Sequence, residues 1–278
     1  MARLAATEYD ADWVLNNDAD EFWWPLGGTL KDMLAAVPDR YGQLVVARHN
    51  FLPRPGDGPF WERMVVRESA SRNLLGDELE PNALHRAHPD VTVDHGNHWV
   101  TGEKMEVAPR LPLIEVLHFP ARSYVQFERK VRQHARSYSA LADRPAVVGR
   151  DQLAVYEIEQ RGELPDWFSA AMRDHEGTAS GLASGELVVD RRLAGFMTEL
   201  RATGEAPPPP APERLAARRL AERAFALAEA AELSERRAAG VQAELAETVA
   251  ALEDLRNSRL VRWTRAPRNA WYRARKRA

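Results

Sequence analysis

Three acidic side chains lie within four positions near the beginning of the chain, at Asp18, Asp20 and Glu21. They follow the short apolar run at residues 13–15, which has the length of a β-strand and is too short for a helix. Carboxylates this close repel each other unless a cation, water or hydrogen bonds compensate their charge. Oxygen ligands of this kind suit Mg²⁺ or Mn²⁺, whose coordination shell substrate phosphates can complete. The same residues are equally typical of an acidic turn after a strand, and spacing alone leaves both interpretations open.

The pattern around these acids predicts a mixed α/β domain. Residues 43–49 and 64–67 are rich in apolar and β-branched side chains and are typical of strands. Residues 30–37 and 151–160 are typical of helices, and Thr29 is in the position of a cap for the first. Short strands separated by helices and long loops favour a sheet covered by helices.

Three sequence blocks, in order along the chain, carry a resemblance to a known family. Residues 12–23 contain Asp-x-Asp-Glu-Phe, residues 95–100 contain Gly-Asn-His, and residues 118–131 contain His-x-x-x-Arg-Ser, Gln-Phe and Lys. In these blocks the chain resembles bacterial glycosyltransferase family 2, particularly the members with an Asp-x-Asp-Glu-Phe signature. The resemblance covers residues 1–170 and implies part of a GT-A type, Rossmann-like α/β sheet domain that uses a nucleotide-diphosphate sugar.

The resemblance also implies a metal site and a catalytic base. Asp18, Asp20 and His118 would hold Mn²⁺ or Mg²⁺, which would bridge the donor diphosphate and neutralise charge on the leaving nucleotide. Enzymes of this family generally invert the anomeric carbon, which requires a carboxylate to take a proton from the acceptor hydroxyl. Glu103 is the first candidate for this base and Asp94 the second, and Glu21 beside the metal site is a further one; for each, a surface acid is the simpler interpretation.

Basic side chains of the same blocks are the candidates for binding phosphate groups. Arg122 and Lys130 are expected at the donor diphosphate, and His98 at the donor or the acceptor. The alternative for Arg122 is the usual one for an arginine at the start of a helix, a charge that is exposed to solvent.

The family's domain normally opens with a βαβ half of roughly ninety residues that binds the nucleotide. Here seventeen residues precede Asp18. The apolar strand at residues 12–17 is expected in the centre of a sheet, with neighbours on both sides. We therefore expect in-frame codons upstream of Met1 to encode the missing half, and we expect only the extended chain to bind nucleotide.

Composition narrows the classes of protein that the chain can belong to. Its 278 residues are 45% hydrophobic, enough for one sizeable core, with a net charge of −3. No run approaches the roughly 18 apolar residues of a membrane span, and the first residues do not resemble a signal peptide. The chain has no cysteine, which excludes disulfides and thiolate catalysis and is compatible with the predicted cytoplasmic location.

A proline-rich segment at residues 205–212 is predicted to be a linker between two differently composed parts. Before it, residues 171–204 are expected to form a helical and loop extension of the first domain. After it, residues 213–256 are rich in Ala, Leu, Glu and Arg and are predicted to form one long coiled-coil helix and a homodimer. The alternative is an Ala-rich helix that folds back on the first domain. The apolar seam is formed by Val241, Leu245, Thr248, Leu252 and Leu255.

The last segment, residues 257–278, is a basic tail with interspersed aromatic residues. Residues 256–278 contain nine Arg or Lys and no acid, together with Trp263, Trp271 and Tyr272. Such a segment favours an anionic membrane surface, so the protein is predicted to lie at the inner face of the plasma membrane. Nucleic acid also attracts basic segments but is not the expected partner. A solubilising tail is the plain alternative.

Three functions from different classes are compatible with these features. The first is a metal-dependent, inverting glycosyltransferase that acts on an unidentified glycan, lipid or protein acceptor, with a cell-envelope polysaccharide as one product class. The second is a noncatalytic protein, derived from a glycosyltransferase, that acts through its coiled coil and membrane-binding tail. The third is a metal-dependent phosphoryl-transfer enzyme or hydrolase, ranked last because Glu21-Phe22 does not fit the sequence of aspartyl-phosphate enzymes.

Overall fold

The computed structural model describes residues 1–73, 75–141, 148–206 and 208–257. The chain divides into two compact units, Met1–Phe225 and Ala226–Ala278. The helices of the described ranges are α1 (Ala2–Thr7), α2 (Leu30–Leu34), α3 (Phe60–Arg63), α4 (Tyr124–Ser139), α5 (Arg150–Gln160), α6 (Leu164–Ala171), α7 (His175–Ser184), α8 (Arg192–Thr203) and α9 (Ala211–Asn257), with a short 3₁₀ helix at His95–Asn97. The strands of these ranges are β1 (Trp13–Leu15), β2 (Glu21–Pro25), β3 (Gln43–Val46), β4 (Arg48–Asn50), β5 (Val66–Glu68), β6 (Asn82–Arg86), β7 (Val91–Val93), β8 (Val100–Gly102), β9 (Ile114–His118) and β10 (Leu187–Val189).

The first unit is mixed α/β with small sheets, as the sequence predicted. Thr29 caps α2, because its side chain accepts a hydrogen bond from the backbone of Asp32 and the Asp32 carboxylate accepts one from the backbone of Thr29. The single strand predicted at 43–49 is two strands, β3 and β4. They separate at Ala47, because β3 pairs with β6 while β4 pairs with β9 in another sheet.

One sheet contains β1, β6 and β3 in that order, with antiparallel pairs. The strand expected in the centre of a sheet, β1, therefore pairs on one side only within the described residues. Its residues are partly buried, and Trp13 and Leu15 pack on the largest apolar core. β1 is thus apolar because one of its faces covers the core, and not because strands pair with it along both edges.

A second sheet brings together the segments that carry the candidate site. Its order is β2-β9-β4, with β2 antiparallel to β9 and β4 parallel to it. In this register His118 at the end of β9 is paired with Glu21 at the start of β2 and with Asn50 at the end of β4. Three polar side chains that are far apart in sequence consequently meet at one end of this sheet.

Helix α4 follows β9 and packs on α5 and α6 through its apolar face. Ser123 caps it by accepting a hydrogen bond from the backbone N–H of Gln126 at 3.2 Å. Phe127 and Val131 are buried against Val155 of α5, among other residues. This packing sets the rotation of α4 and thereby directs the intervening Lys130 to the end of the second sheet.

The first turns of α9 belong to the first unit. Ala221 and Phe225 are buried in the largest apolar core, and Arg214 forms an ion pair with Asp32 at 2.8 Å. The chain also approaches α9 closely at Gly27, where an added Cβ would lie 3.0 Å from the Cβ of Ala217. The helix predicted at 213–256 therefore begins two residues earlier, at Ala211, and its beginning is part of the globular core.

The second unit is described as far as residue 257, as the remainder of α9. Along this part the large apolar side chains are exposed, whereas Phe225, at the end of the first unit, is buried. The basic tail at 258–278 lies outside the described residues. Within the described ranges, each helix is too short or too polar to cross a bilayer. The exposed apolar residues of this part of α9 are Leu227, Leu233, Val241, Leu245, Val249, Leu252 and Leu255.

Candidate active site

A buried carboxylate, Asp20, is the centre of the candidate site. Only 6% of this residue is exposed. The Lys130 ammonium donates a hydrogen bond to Asp20 Oδ2 at 2.5 Å, and His118 Nε2 lies 3.9 Å from the same oxygen. The backbone holds the residue in place, because the N–H of Phe119 donates to the Asp20 carbonyl at 2.9 Å. Burial opposes ionisation of Asp20, but the charge and hydrogen bond of Lys130, the neighbouring His118 and a backbone hydrogen bond together outweigh it and lower the pKa of this carboxyl below its usual value.

His118 is held in one orientation by the neighbouring parallel strand. Its Nδ1 lies 2.7 Å from Oδ1 of Asn50, an amide oxygen that only accepts hydrogen bonds. Nδ1 therefore carries the proton, and the lone pair of Nε2 is on the side of Asp20. Burial, supported by the charges of Lys130 and Arg48, holds the pKa of His118 well below its usual range. The imidazole is consequently neutral at physiological pH.

A second buried carboxylate, Glu21, is the next residue along the chain and is 4% exposed. Its Oε2 accepts a hydrogen bond from Nδ2 of Asn82 at 2.6 Å, and its Oε1 lies 3.3 Å from the Arg48 guanidinium. Burial raises the pKa of Glu21 above its usual value, although Arg48 acts in the opposite direction. Two adjacent carboxylates thus have different environments and oppositely shifted pKa values.

Together these side chains form the Asp20 cluster, a set of polar groups in an otherwise apolar environment. Three of its members, Asp20, His118 and Lys130, were predicted from the sequence as site residues, and Glu21 was one of the candidates for the catalytic base. The other members, Arg48, Asn50 and Asn82, were not predicted. In the sequence these three are recognisable only as polar residues at the end of a strand-like segment, a pattern that is common in proteins. The members of the Asp20 cluster are Asp20, Glu21, Arg48, Asn50, Asn82, His118 and Lys130.

The proposed metal ligands are only partly brought together. Asp18 is exposed, and its backbone N–H, rather than its side chain, contacts Glu21. Asp20 and His118 are neighbours, but the Lys130 ammonium is bound to the oxygen that would face the metal. Among the described residues, no group of three or more His, Asp or Glu side chains is placed to hold a metal ion. In this arrangement the residues do not fit a metal site, and Lys130 supplies the positive charge beside Asp20.

The candidate bases lie on a different segment, the β7–β8 hairpin. Asp94 and Glu103 are both exposed, and the backbone N–H of Asp94 donates to the Trp99 carbonyl at 3.0 Å. The contacts that hold Asp20 and His118 come from other parts of the chain. The roles of Asp94 and Glu103 as catalytic bases therefore stay predictions.

The remaining candidates, His98 and Arg122, have contacts outside the Asp20 cluster. Nδ1 of His98 lies 2.8 Å from the Pro81 carbonyl, and its Nε2 lies 3.2 Å from the Glu80 carboxylate, two residues before the cluster member Asn82. The Arg122 guanidinium lies 5.2 Å from the centre of the Phe60 ring. Of the side chains expected at phosphate, only Lys130 is in the cluster itself.

No protein-family model matches the chain, and no curated protein matches it. A functional interpretation therefore depends on the sequence blocks and on the geometry of the Asp20 cluster.

Chemically, the cluster is suited to a polar ligand that carries hydroxyl groups or negative charge. Asp20 and Glu21 are hydrogen-bond acceptors, Lys130 and Arg48 are charged donors, and the neutral His118 has an unprotonated Nε2. Charged hydrogen bonds are strongest where water is excluded, and this is the environment of the two carboxylates.

Proposed function

We propose that the protein is a glycosyltransferase that transfers a sugar from a nucleotide-diphosphate donor to a hydroxyl group of an acceptor. The observation that carries this proposal is the contact of Asp20 with Lys130, residues 110 positions apart, beside His118. These residues come from the first and third of the blocks that resemble glycosyltransferase family 2. If the likeness of these two blocks to the family were coincidental, there would be no reason for their polar residues to meet in one buried cluster.

The position of the cluster in the sheet also supports a GT-A type domain. His118 and Asn50 end two parallel strands, β9 and β4, and are joined by a hydrogen bond there. In open α/β sheets, ligands bind beyond the carboxyl ends of parallel strands. We infer that the donor binds at this end of the sheet.

In this proposal, the acceptor oxygen attacks the anomeric carbon as the bond from that carbon to the diphosphate oxygen breaks, with inversion. The Lys130 ammonium stabilises the negative charge that develops on the leaving nucleoside diphosphate. Asp20 holds this ammonium in position. A carboxylate accepts the acceptor proton, and Glu21, with its raised pKa, is better placed in the cluster for this role than Asp94 or Glu103. That the enzyme requires Mn²⁺ or Mg²⁺ stays a prediction. Measuring its activity in the presence of a metal chelator tests this.

The cellular setting follows as a second part of the proposal. We propose a cytoplasmic protein whose basic tail holds it at the inner face of the plasma membrane, with an acceptor destined for the cell envelope. The basic, aromatic-containing sequence of residues 257–278 supports this.

The test is release of nucleoside diphosphate from a panel of nucleotide-diphosphate sugars, with and without Mn²⁺, by the chain together with any residues encoded in frame upstream of Met1. We expect release from at least one donor, and Asp20→Asn and Lys130→Met should each lower it by at least about a hundredfold. Asp254→Asn, a matched change at an exposed position on α9, should leave it unchanged. Equal turnover in Asp20→Asn and the parent would refute the role of the cluster.

A noncatalytic interaction protein is the second candidate, because the exposed apolar stripe of α9 resembles an interface. It predicts no turnover with any donor, while self-association and vesicle binding persist in Asp20→Asn.

A further inference from the structure

A network of ionisable side chains lies on the face of the second sheet that is turned away from the Asp20 cluster. Its members, which we call the Arg192 network, are His49, Arg67, Glu115, Asp190 and Arg192. Successive side chains of a strand point to opposite faces of a sheet. Arg48 and Asn50 of β4 therefore contact the Asp20 cluster, whereas His49 between them contacts the network.

Arg192, the first residue of α8, joins two carboxylates. Its Nη2 donates to Oδ2 of Asp190 at 2.6 Å and to Oε2 of Glu115 at 2.7 Å. Asp190 is 7% exposed and also accepts a hydrogen bond from Nε of Arg67 at 3.0 Å. Charge-assisted hydrogen bonds are strong where water is largely excluded. Arg192 therefore fastens the beginning of α8 to β9 directly and, through Asp190, to β5.

Glu115 continues these contacts to β4. Its Oε1 lies 3.5 Å from Nε2 of His49. A hydrogen bond from His49, together with the Arg192 guanidinium, lowers the pKa of Glu115 to about 2, although burial acts in the opposite direction. Glu115 is therefore ionised at physiological pH, and its negative charge connects α8 with β4.

The network holds the chain on both sides of Asn50. His49 precedes Asn50, and the backbone of Phe51, which follows it, forms an antiparallel bridge with Arg67. β4 has three residues and lies at one end of its sheet, so a small number of contacts decides its position. Asn50 in turn orients His118, because its Oδ1 lies 2.7 Å from Nδ1 of the imidazole. A displacement of Asn50 would release this ring.

We propose that the Arg192 network positions His118, by fixing Asn50 and thereby keeping the imidazole in the tautomer whose unprotonated Nε2 faces Asp20. Arg192 and Glu115 are then positioning residues. The segment that carries Asp190 and Arg192 becomes a functional part of the site, although the resemblance to glycosyltransferase family 2 ends at residue 170. The proposal does not depend on sugar transfer, because the tautomer of a histidine is a property of the folded chain.

Nitrogen-15 NMR of the histidine side chains in the full chain tests the proposal, because protonated and unprotonated ring nitrogens resonate at different frequencies. His118→Gln identifies the signals of His118 by their loss. At neutral pH we expect a protonated Nδ1 and an unprotonated Nε2 in the parent. Asn50→Ala should shift both signals towards those of a mixture of tautomers. Arg192→Gln and His49→Gln should each shift them in the same direction.

Two further variants separate positioning from a general loss of stability. Arg191→Gln, a change at the neighbouring exposed arginine, is the matched control and should leave the signals of His118 unchanged. Arg192→Lys keeps the positive charge and should retain most of the parent signal. Thermal melting shows which variants are folded, and if Arg192→Gln is not, His49→Gln decides, since it removes a single contact at the end of the network.

Parent-like signals of His118 in the folded network variants, with shifted signals in Asn50→Ala, would overturn the proposal and leave the network with a structural role alone. Unchanged signals in Asn50→Ala would overturn it as well, because Asn50 would then not set the tautomer. A protonated Nε2 in the parent would have the same consequence.

Discussion

At the scale of single residues, the pair Asp20–Lys130 decides the chemistry of the candidate site. The sequence predicted a divalent cation held by Asp18, Asp20 and His118. In the structure the Lys130 ammonium is bound to Asp20, and the Arg48 guanidinium lies beside Glu21. The charge of the cluster is thereby balanced by residues of this chain.

Replacing Lys130 by Met should lower the free energy of unfolding by about 2–3 kcal/mol, because it leaves Asp20 buried without its partner. Lys130→Arg keeps the charge and should lose less. The double variant Asp20→Asn with Lys130→Met should be more stable than Lys130→Met alone, since no charge is then left unpaired. Urea denaturation measures all four proteins. Equal stabilities of the parent and Lys130→Met would mean that the pair contributes nothing to the fold.

The lowered pKa of His118 predicts how stability depends on pH. In the unfolded chain this histidine takes up a proton below its ordinary pKa of 6.5, whereas the folded state resists protonation until a much lower pH. The unfolded state therefore binds more protons as the pH falls, and stability decreases. Burial lowers the pKa values of His85 and His134 as well, and they act in the same direction.

When the pH falls from about 8 to about 5.5, the free energy of unfolding should decrease by about 1 kcal/mol less in His118→Gln than in the parent. The comparison is of the two pH-dependent losses, so a general weakening of the variant does not affect it. His175→Asn, a change at an exposed histidine, serves as control. The same pH dependence in His118→Gln and the parent would contradict the assignment.

At the scale of elements, α9 serves two different purposes along its length. Its first turns complete a hydrophobic core and bury Phe225, which is 1% exposed, whereas Leu227 two residues later is 70% exposed. The sequence suggested either a dimeric coiled coil or a helix that folds back on the first domain. The first turns of α9 pack on the core, as expected for the helix that folds back. Beyond them the apolar side chains are exposed, and the dimeric coiled coil stays a prediction.

Phe225→Ala should lower the free energy of unfolding by about 3–5 kcal/mol, because it leaves a cavity beside Tyr41 in the core. Leu227→Ala removes a side chain of similar size from the same helix and should change stability by no more than about 0.5 kcal/mol in the monomer. Chemical denaturation at low protein concentration compares the two. Similar losses would mean that α9 does not contact the core as described.

The exposed stripe predicts self-association. Val241, Leu245, Leu252 and Leu255 recur at coiled-coil spacing, and Leu245→Asp with Leu252→Asp should dissociate the dimer by placing charges in its interface. Ala250→Asp, on the opposite side of the helix, should not. Sedimentation equilibrium of the full chain is the measurement. A parent protein that stays monomeric at high micromolar concentration would exclude the dimer.

At the scale of the whole molecule, the basic tail predicts attachment to membranes. A chain that ends at residue 257 loses eight Arg or Lys residues, each of which contributes about 1 kcal/mol near an anionic surface. It should no longer sediment with vesicles that contain anionic lipid, whereas the full chain should do so at low salt and be released at high salt. Equal binding of both chains to neutral vesicles would argue against an electrostatic attachment.

The sequence by itself determined the features that depend on local order. The cap at Thr29, the helix at 151–160, the mixed α/β character and the long C-terminal helix follow from side-chain spacing and capping chemistry, which act over a few residues. It also predicted Asp20, His118 and Lys130 as candidate site residues through their blocks, and these three side chains lie together in the structure. It did not predict the split of residues 43–49 into two strands, since this depends on which strand each half pairs with.

Only the tertiary structure decided what Asp20 contacts. Lys130 reaches Asp20 because packing on α5 and α6 sets the rotation of α4, and His118 is oriented by Asn50 from a neighbouring parallel strand. Arg48 and Asn82 meet Glu21 through strand pairing across two sheets. Contacts between residues far apart in sequence have no local signature, because the free energy that selects them comes from packing and burial of the whole core.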